Sequence, residues 1–87
     1  MNTFLLVISS PEGNLYEGQA QSILLRGAEG DLEILSGHIP FMTTVKECNC
    51  TVTLDDDTDI TGHTKGGILT VSGERTTLLS GSFVWDE

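Results

Sequence analysis

Gly67-Ile68-Leu69-Thr70-Val71-Ser72-Gly73-Glu74-Arg75-Thr76-Thr77-Leu78-Leu79 sets two short runs of β-branched and aliphatic residues on either side of a polar turn. Runs of this length and composition, split by Ser-Gly and a charged pair, predict a hairpin with strands over 67–71 and 76–79. The pattern recurs outward from here. Ten glycines fall at short intervals along 87 residues, and the stretches between them are rich in Val, Ile, Leu and Thr. Many short strands joined by turns follow from that rhythm.

The remaining strands read in the same way. Thr3–Ser9 is an apolar strand closed by Pro11-Glu12-Gly13, and Gln19–Arg26 is a strand ended by Gly27-Ala28-Glu29-Gly30. Asp31–Leu35 alternates acids with aliphatic residues, as a half-buried strand does. Gly37-His38-Ile39-Pro40 is the next turn. Phe41–Lys46 and Thr51–Leu54 read as a strand pair around Cys48-Asn49-Cys50, and Asp55–Asp59 as an acidic loop tip. Phe83 and Trp85 alternate in a last strand that covers one end of the core, with a partner anchor as the functional alternative. No window keeps the i, i+3, i+4, i+7 spacing of an amphipathic helix. The expectation is an all-β chain, a single-domain flattened β-sandwich or barrel of about ten short strands with essentially no helix.

Composition narrows the function. The chain carries 38% hydrophobic and 20% charged residues, the make-up of one soluble globular domain. A domain of this size buries roughly 60–65% of its unfolded surface, so its stability is modest and a partner can add to it. Thirteen acids face four basic residues, Arg26, Lys46, Lys65 and Arg75, for a net charge of -9. Phosphate backbones and anionic lipid surfaces are recognised with Lys and Arg, so neither suits this chain. No apolar run approaches the ~20 residues of a membrane helix, and Met1–Ile8 lacks the basic leader and cleavage site of a signal peptide. A cytoplasmic chain is expected.

Candidate chemistry is sparse. A calcium loop starting at Asp55 is supplied by Asp57 and Asp59, but it meets Ile60 where glycine is needed and Gly66 where a bidentate glutamate is needed. The cluster Asp55, Asp56, Asp57 and Asp59 therefore reads as a solvated loop. Cys48, Cys50 and His63 lack the spacing of a zinc finger. Residues i and i+2 of a strand lie about 6.5–7 Å apart, at the limit for a disulfide, so both cysteines are read as free thiols. His38 suits capping or contact better than metal ligation. There is no Gly-x-Ser-x-Gly elbow. The Gly27–Gly30 turn carries Glu29 where a phosphate would sit. An enzyme is not expected, and no cofactor is.

Three stretches together carry a resemblance. They are Ser10-Pro11-Glu12-Gly13, then Gly27-Ala28-Glu29-Gly30-Asp31-Leu32 running on to Leu35-Ser36-Gly37-His38-Ile39-Pro40-Phe41-Met42-Thr43, and Gly66–Val71 followed by Thr76–Leu79. In this order and spacing the chain resembles the N-terminal domain of the epsilon subunit of F-type ATP synthase over its whole length. That resemblance implies a ten-stranded β-sandwich at the foot of the central stalk. Such a domain binds the gamma subunit, touches the membrane rotor ring and helps couple rotation to the catalytic head, with no chemistry of its own. It implies rotor-ring contacts at Glu29 and Asp31 and gamma contacts at His38, Pro40, Met42 and Thr43. It also implies a peripheral place at the cytoplasmic face of the cell membrane, held there through the complex.

Departures from the family pattern are visible. Glu33 replaces a usual glycine, Ser36 a usual proline, and Cys48-Asn49-Cys50 stands where a Pro-Gly turn is common. The family's C-terminal two-helix hairpin, which inhibits ATP hydrolysis and in some members binds ATP, has no counterpart within residues 1–87. The expectation for this segment is one domain over 1–87 with neither inhibition nor an ATP site. Two rival readings stand beside it. One is a stand-alone acidic β-sandwich adaptor that kept the fold and changed its partner. The other is a metal-dependent binding module using Asp55–Asp59 or Cys48, Cys50 and His63.

Overall fold

The computed structural model describes residues 2–86, and nine strands run through them. They are β1 (Phe4–Ser10), β2 (Gly13–Gly27), β3 (Gly30–Leu35), β4 (Phe41–Val45), β5 (Cys48–Leu54), β6 (Asp59–Thr64), β7 (Gly67–Val71), β8 (Thr76–Leu79) and β9 (Val84–Trp85). No helix is found among the described residues. The all-β expectation holds, as does the β7–β8 hairpin, in which Ile68 pairs with Leu79 and Val71 with Thr76.

β2 organises the molecule. Its first half pairs antiparallel with β1, from Ser10 against Gly13 to Phe4 against Ala20. Its second half pairs with β3 on one side and β5 on the other. One half of the fold is therefore β2–β1–β8–β7–β4, and the other is β3–β2–β5–β6–β9. β1 and β8 run parallel and the other pairings are antiparallel. β4 returns to β2 through Gly27 against Val45, so the ladder closes on itself as a flattened barrel does.

Alternation fixes which face is inside. Leu6 and Ile8 of β1, Ile23 and Leu25 of β2, Val52 of β5, Leu69 of β7 and Leu78 of β8 point inward and are buried in one cluster. Phe83 closes one end of it. Phe83 is buried and meets Trp85 edge to face at 4.8 Å, so the last strand is a core cover as expected.

Two expectations are corrected. β2 begins at Gly13, not Gln19, because Tyr16 folds its hydroxyl over Gly18 and both stay in the ladder with β1. Cys48-Asn49-Cys50 is not a turn and β4 does not pair with β5. Those three residues open β5 against Gly62–Thr64, while β4 pairs with β7. Lys46-Glu47 is the actual link, with Lys46 N–H donating to Arg26 O at 3.0 Å. It carries the chain from one half of the sandwich to the other, where local hairpin pairing is impossible.

Candidate docking surface

Six of the nine strands hold no charged residue, although the chain has seventeen (thirteen acids and four bases); two of them, β5 and β9, lie beside charged strands, and the other four are β1, β4, β7 and β8. These four strands are neighbours in one half of the sandwich, in the order β1–β8–β7–β4. Their register lines up two rows that point away from the core cluster, with Val7 at the β1 end of the first itself buried. Met42 pairs with Thr70, Thr70 with Thr77, and Thr77 with Val7. Thr44 pairs with Ile68, Ile68 with Leu79, and Leu79 with Ser9. Met42, Ile68 and Leu79 are exposed on this face, with Met42 at 67%. A sheet face of threonine, aliphatic and methionine side chains is unusual for solvent and usual for an interface core, where charge is depleted.

One edge of the face is bordered by the β2–β3 hairpin. Gly27 pairs with Gly30, leaving Ala28 and Glu29 at the tip, and Gly30 adopts φ +128°, which a side chain would strain. Arg26 Nε lies 3.2 Å from Asp31 Oδ1, an ion pair whose partners are both mostly exposed. Its contribution to stability is about 0–1 kcal/mol. Glu29, Asp31, Met42 and Thr43 border one concavity of about 520 Å3. Met42 and Thr43 are consecutive in an extended strand and point to opposite faces. Both nevertheless line the concavity, Thr43 lying beside Gly27 at the base of the hairpin.

The other two sequence-predicted residues lie elsewhere. His38 and Pro40 sit in the exposed segment that enters β4, at the end where Phe41 meets Val71. The His38 ring lies 5.0 Å from that of Phe41, and its Nδ1 is 2.9 Å from Ile39 O. Ile39 beside it is 78% exposed. The structure thus brings Glu29, Asp31, Met42 and Thr43 together and leaves His38 and Pro40 at the far end of β4. Sequence reasoning missed Thr44, Ile68 and Leu79. The available signal was the lack of charge in four strands, which acquires meaning once those strands are known to be neighbours.

The acidic loop is arranged residue by residue. Asp57 takes φ +69° and accepts from Gln21 Nε2 at 2.7 Å. Asp56 accepts from Thr58 N–H at 3.0 Å, and hydrogen bonds to Thr58 lower its pKa. Asp59 accepts from Thr53 Oγ1 at 2.7 Å. His63 stands between Asn49 and Glu47 on the outer face of β5 and β6, one residue out of phase with Cys48 and Cys50. Among the described residues no three His, Cys, Asp or Glu side chains converge on one point.

The fold and surface define a small β-sandwich domain with an uncharged sheet face and an acidic hairpin at its edge. The chain belongs to the family described as the ATP synthase delta/epsilon chain beta-sandwich domain, whose model matches residues 3–86. The epsilon chain is a non-catalytic subunit of that complex. The sequence is similar to the ATP synthase epsilon chain of Brevibacillus brevis, 28% identical over 80 residues, covering 92% of this chain and 61% of that one. It is also similar to the sodium ion specific ATP synthase epsilon chain of Acetobacterium woodii, 32% identical over 85 residues, covering 98% of this chain and 64% of that one. The chain spans less than two thirds of the length of either relative. In fold it matches a chain of the Euglena gracilis mitochondrial ATP synthase with a TM-score of 0.89 at 15% identity, covering 95% of this chain and 53% of that one. A chain of the Tetrahymena thermophila mitochondrial ATP synthase central stalk and c-ring matches with a TM-score of 0.76 at 10% identity, covering 95% and 66%.

Proposed function

We propose that this β-sandwich is a rotor element of an F-type ATP synthase, docking on the gamma subunit and meeting the membrane rotor ring, so that rotation is passed between them. The uncharged face of β1, β8, β7 and β4 is the gamma-binding surface, extended at one end by His38 and Pro40. The β2–β3 hairpin presents Glu29 and Asp31 to hydrogen-bonding or basic groups of the ring loops. The domain sits peripherally at the cytoplasmic face of the cell membrane by way of the complex. It supplies no catalytic group, and the 87-residue segment is assigned neither an inhibitory nor an ATP-binding role.

The observation that carries this reading is the absence of charge from four neighbouring strands in a chain of net charge -9. Desolvating such a face on association costs little, whereas desolvating unpaired carboxylates costs much. Pull-down with the gamma subunit of the same organism tests it. Stable binding is expected, weakened about tenfold by Met42→Ala, the scale of an interface hot spot, and less by His38→Ala. Glu29→Gln with Asp31→Asn is expected to leave gamma binding unchanged and to weaken attachment to the isolated ring. Failure to bind gamma, with recovery in a different stable complex, overturns the reading in favour of the acidic adaptor.

A further inference from the structure

A second surface lies away from the uncharged face, where β2, β6 and β9 meet. Tyr16, Ile60 and Trp85 form the apolar part of a cleft of about 450 Å3, and Asp59, Thr61 and Asp86 form its polar part. The polar atoms of the two aromatic rings are already engaged. Trp85 Nε1–H donates to Leu15 O at 3.2 Å, and Tyr16 hydroxyl donates to Gln19 O at 3.2 Å. Trp85 meets Tyr16 at 6.1 Å and Phe83 at 4.8 Å, both edge to face, so neither ring is stacked flat upon it.

The carboxylates are held in place but not neutralised. Asp59 Oδ1 accepts from Thr53 Oγ1 at 2.7 Å, and Asp86 Oδ2 accepts from Thr61 Oγ1 at 2.9 Å. Each keeps a second oxygen. None of the four basic residues lines the cleft, and neither aspartate is in an ion pair among the described residues. Two more carboxylates act on the cleft: burial first, and then the charges of Asp55 and Asp56, raise the pKa of Tyr16.

We infer that this cleft binds an arginine side chain presented by a segment of a partner protein, the guanidinium lying against Trp85 and Tyr16 and pairing with Asp59 and Asp86. Arginine fits better than lysine. Its planar, weakly hydrated cation lies against an aromatic face and offers forked donors to carboxylates at the same time. The charge of the whole chain steers such a segment toward it. This inference does not rest on the gamma reading, since none of the residues of the cleft belongs to β1, β4, β7 or β8.

Trp85 is the single tryptophan of the chain, so its emission reports on the cleft alone. The test titrates the 87-residue protein with a capped glycine–arginine repeat peptide and with the same peptide carrying citrulline in place of arginine. A saturable change in Trp85 emission is expected with arginine, weakening as salt is raised, and none with citrulline. Asp59→Asn with Asp86→Asn is expected to weaken binding about tenfold, two exposed charge contacts being lost. Asparagine keeps an oxygen for Thr53 and Thr61, so the strands remain held. Glu33→Gln with Glu74→Gln removes the same charge elsewhere, at two exposed positions outside the cleft, and is expected to change affinity by less than about twofold. Equal binding of the citrulline peptide overturns the inference. So does an equal loss in the Glu33, Glu74 variant, and so does the absence of a saturable signal with the natural chain.

Discussion

Phe83 lies across Gly62, so close that a methyl group at position 62 would stand 2.8 Å from Phe83 Cε1 and 2.8 Å from Val84 O. Gly62 pairs with Cys50 on one side and Trp85 on the other. The missing side chain is what lets β9 dock and Phe83 enter the core. Gly62→Ala should destabilise the domain by about 1–3 kcal/mol, the range for overpacking a core. Combining it with Phe83→Leu should recover part of that loss, because the two changes act on one space. Urea denaturation of the single and double variants measures both. Simple additivity would place the strain elsewhere.

Thr64 and Ser80 form a buried hydroxyl pair 2.7 Å apart, each 3.0 Å from Gly66 O. Thr64 Oγ1 also accepts from Gly66 N–H at 3.0 Å. Gly66 is at φ +141° in the turn between β6 and β7, so this pair fixes the turn that starts the uncharged face. Thr64→Val keeps the shape and orphans the Gly66 N–H. It should cost about 1–3 kcal/mol, and Thr64→Ser should cost well under half of that. Equilibrium unfolding in urea distinguishes them.

The two cysteines differ in reactivity and in their effect on stability. Cys50 is fully buried, and burial, with Cys48 beside it, pushes its pKa from 9.0 up to about 12. Cys48 is partly exposed. A thiol reagent at pH 8 should modify Cys48 in the native protein and Cys50 only on unfolding. The linkage has a definite sign. Below pH 9 both states of Cys50 hold the proton and its contribution to stability is complete. Between pH 9 and about 12 the unfolded chain releases a proton that the folded chain keeps, so stability falls as pH rises. Tyr16, also raised, adds to the loss above pH 10. Cys50→Val should flatten the decline of the melting temperature above pH 9 without abolishing it.

The parts of this fold that sequence reveals are those decided locally. The Ser72–Arg75 turn interrupts two β-branched runs and makes the β7–β8 hairpin readable, and Gly27 and Gly30 do the same for β2–β3. The pairing of β4 with β7 is not local. Val45 and Cys48 are close in sequence, yet Lys46 is tied to Arg26 and sends the two strands into different halves of the sandwich. For the same reason Glu29, Asp31, Met42 and Thr43 could be named from a resemblance, but their shared concavity could not. Thr44, Ile68 and Leu79 each look like ordinary strand residues until register sets them side by side.

That register makes the docking face testable by charge. Thr44 is exposed beside Ile68 and carries no tertiary hydrogen bond from its side chain. Thr44→Asp should alter stability by no more than about 1 kcal/mol, the span of β-propensity at a strand position. At a buried interface the same carboxylate must be desolvated without a partner, and gamma binding should fall at least about thirtyfold, a loss of 2 kcal/mol or more. Asn49→Asp adds the same charge on the outer face of β5, in the other half of the sandwich. It should leave gamma binding within about twofold, since at physiological salt a distant exposed charge is largely screened. The decisive quantity is the ratio of the two losses in one pull-down series. A large ratio locates the contact on β1, β8, β7 and β4. A ratio near one means that binding follows total charge, and the uncharged face is then not where gamma sits.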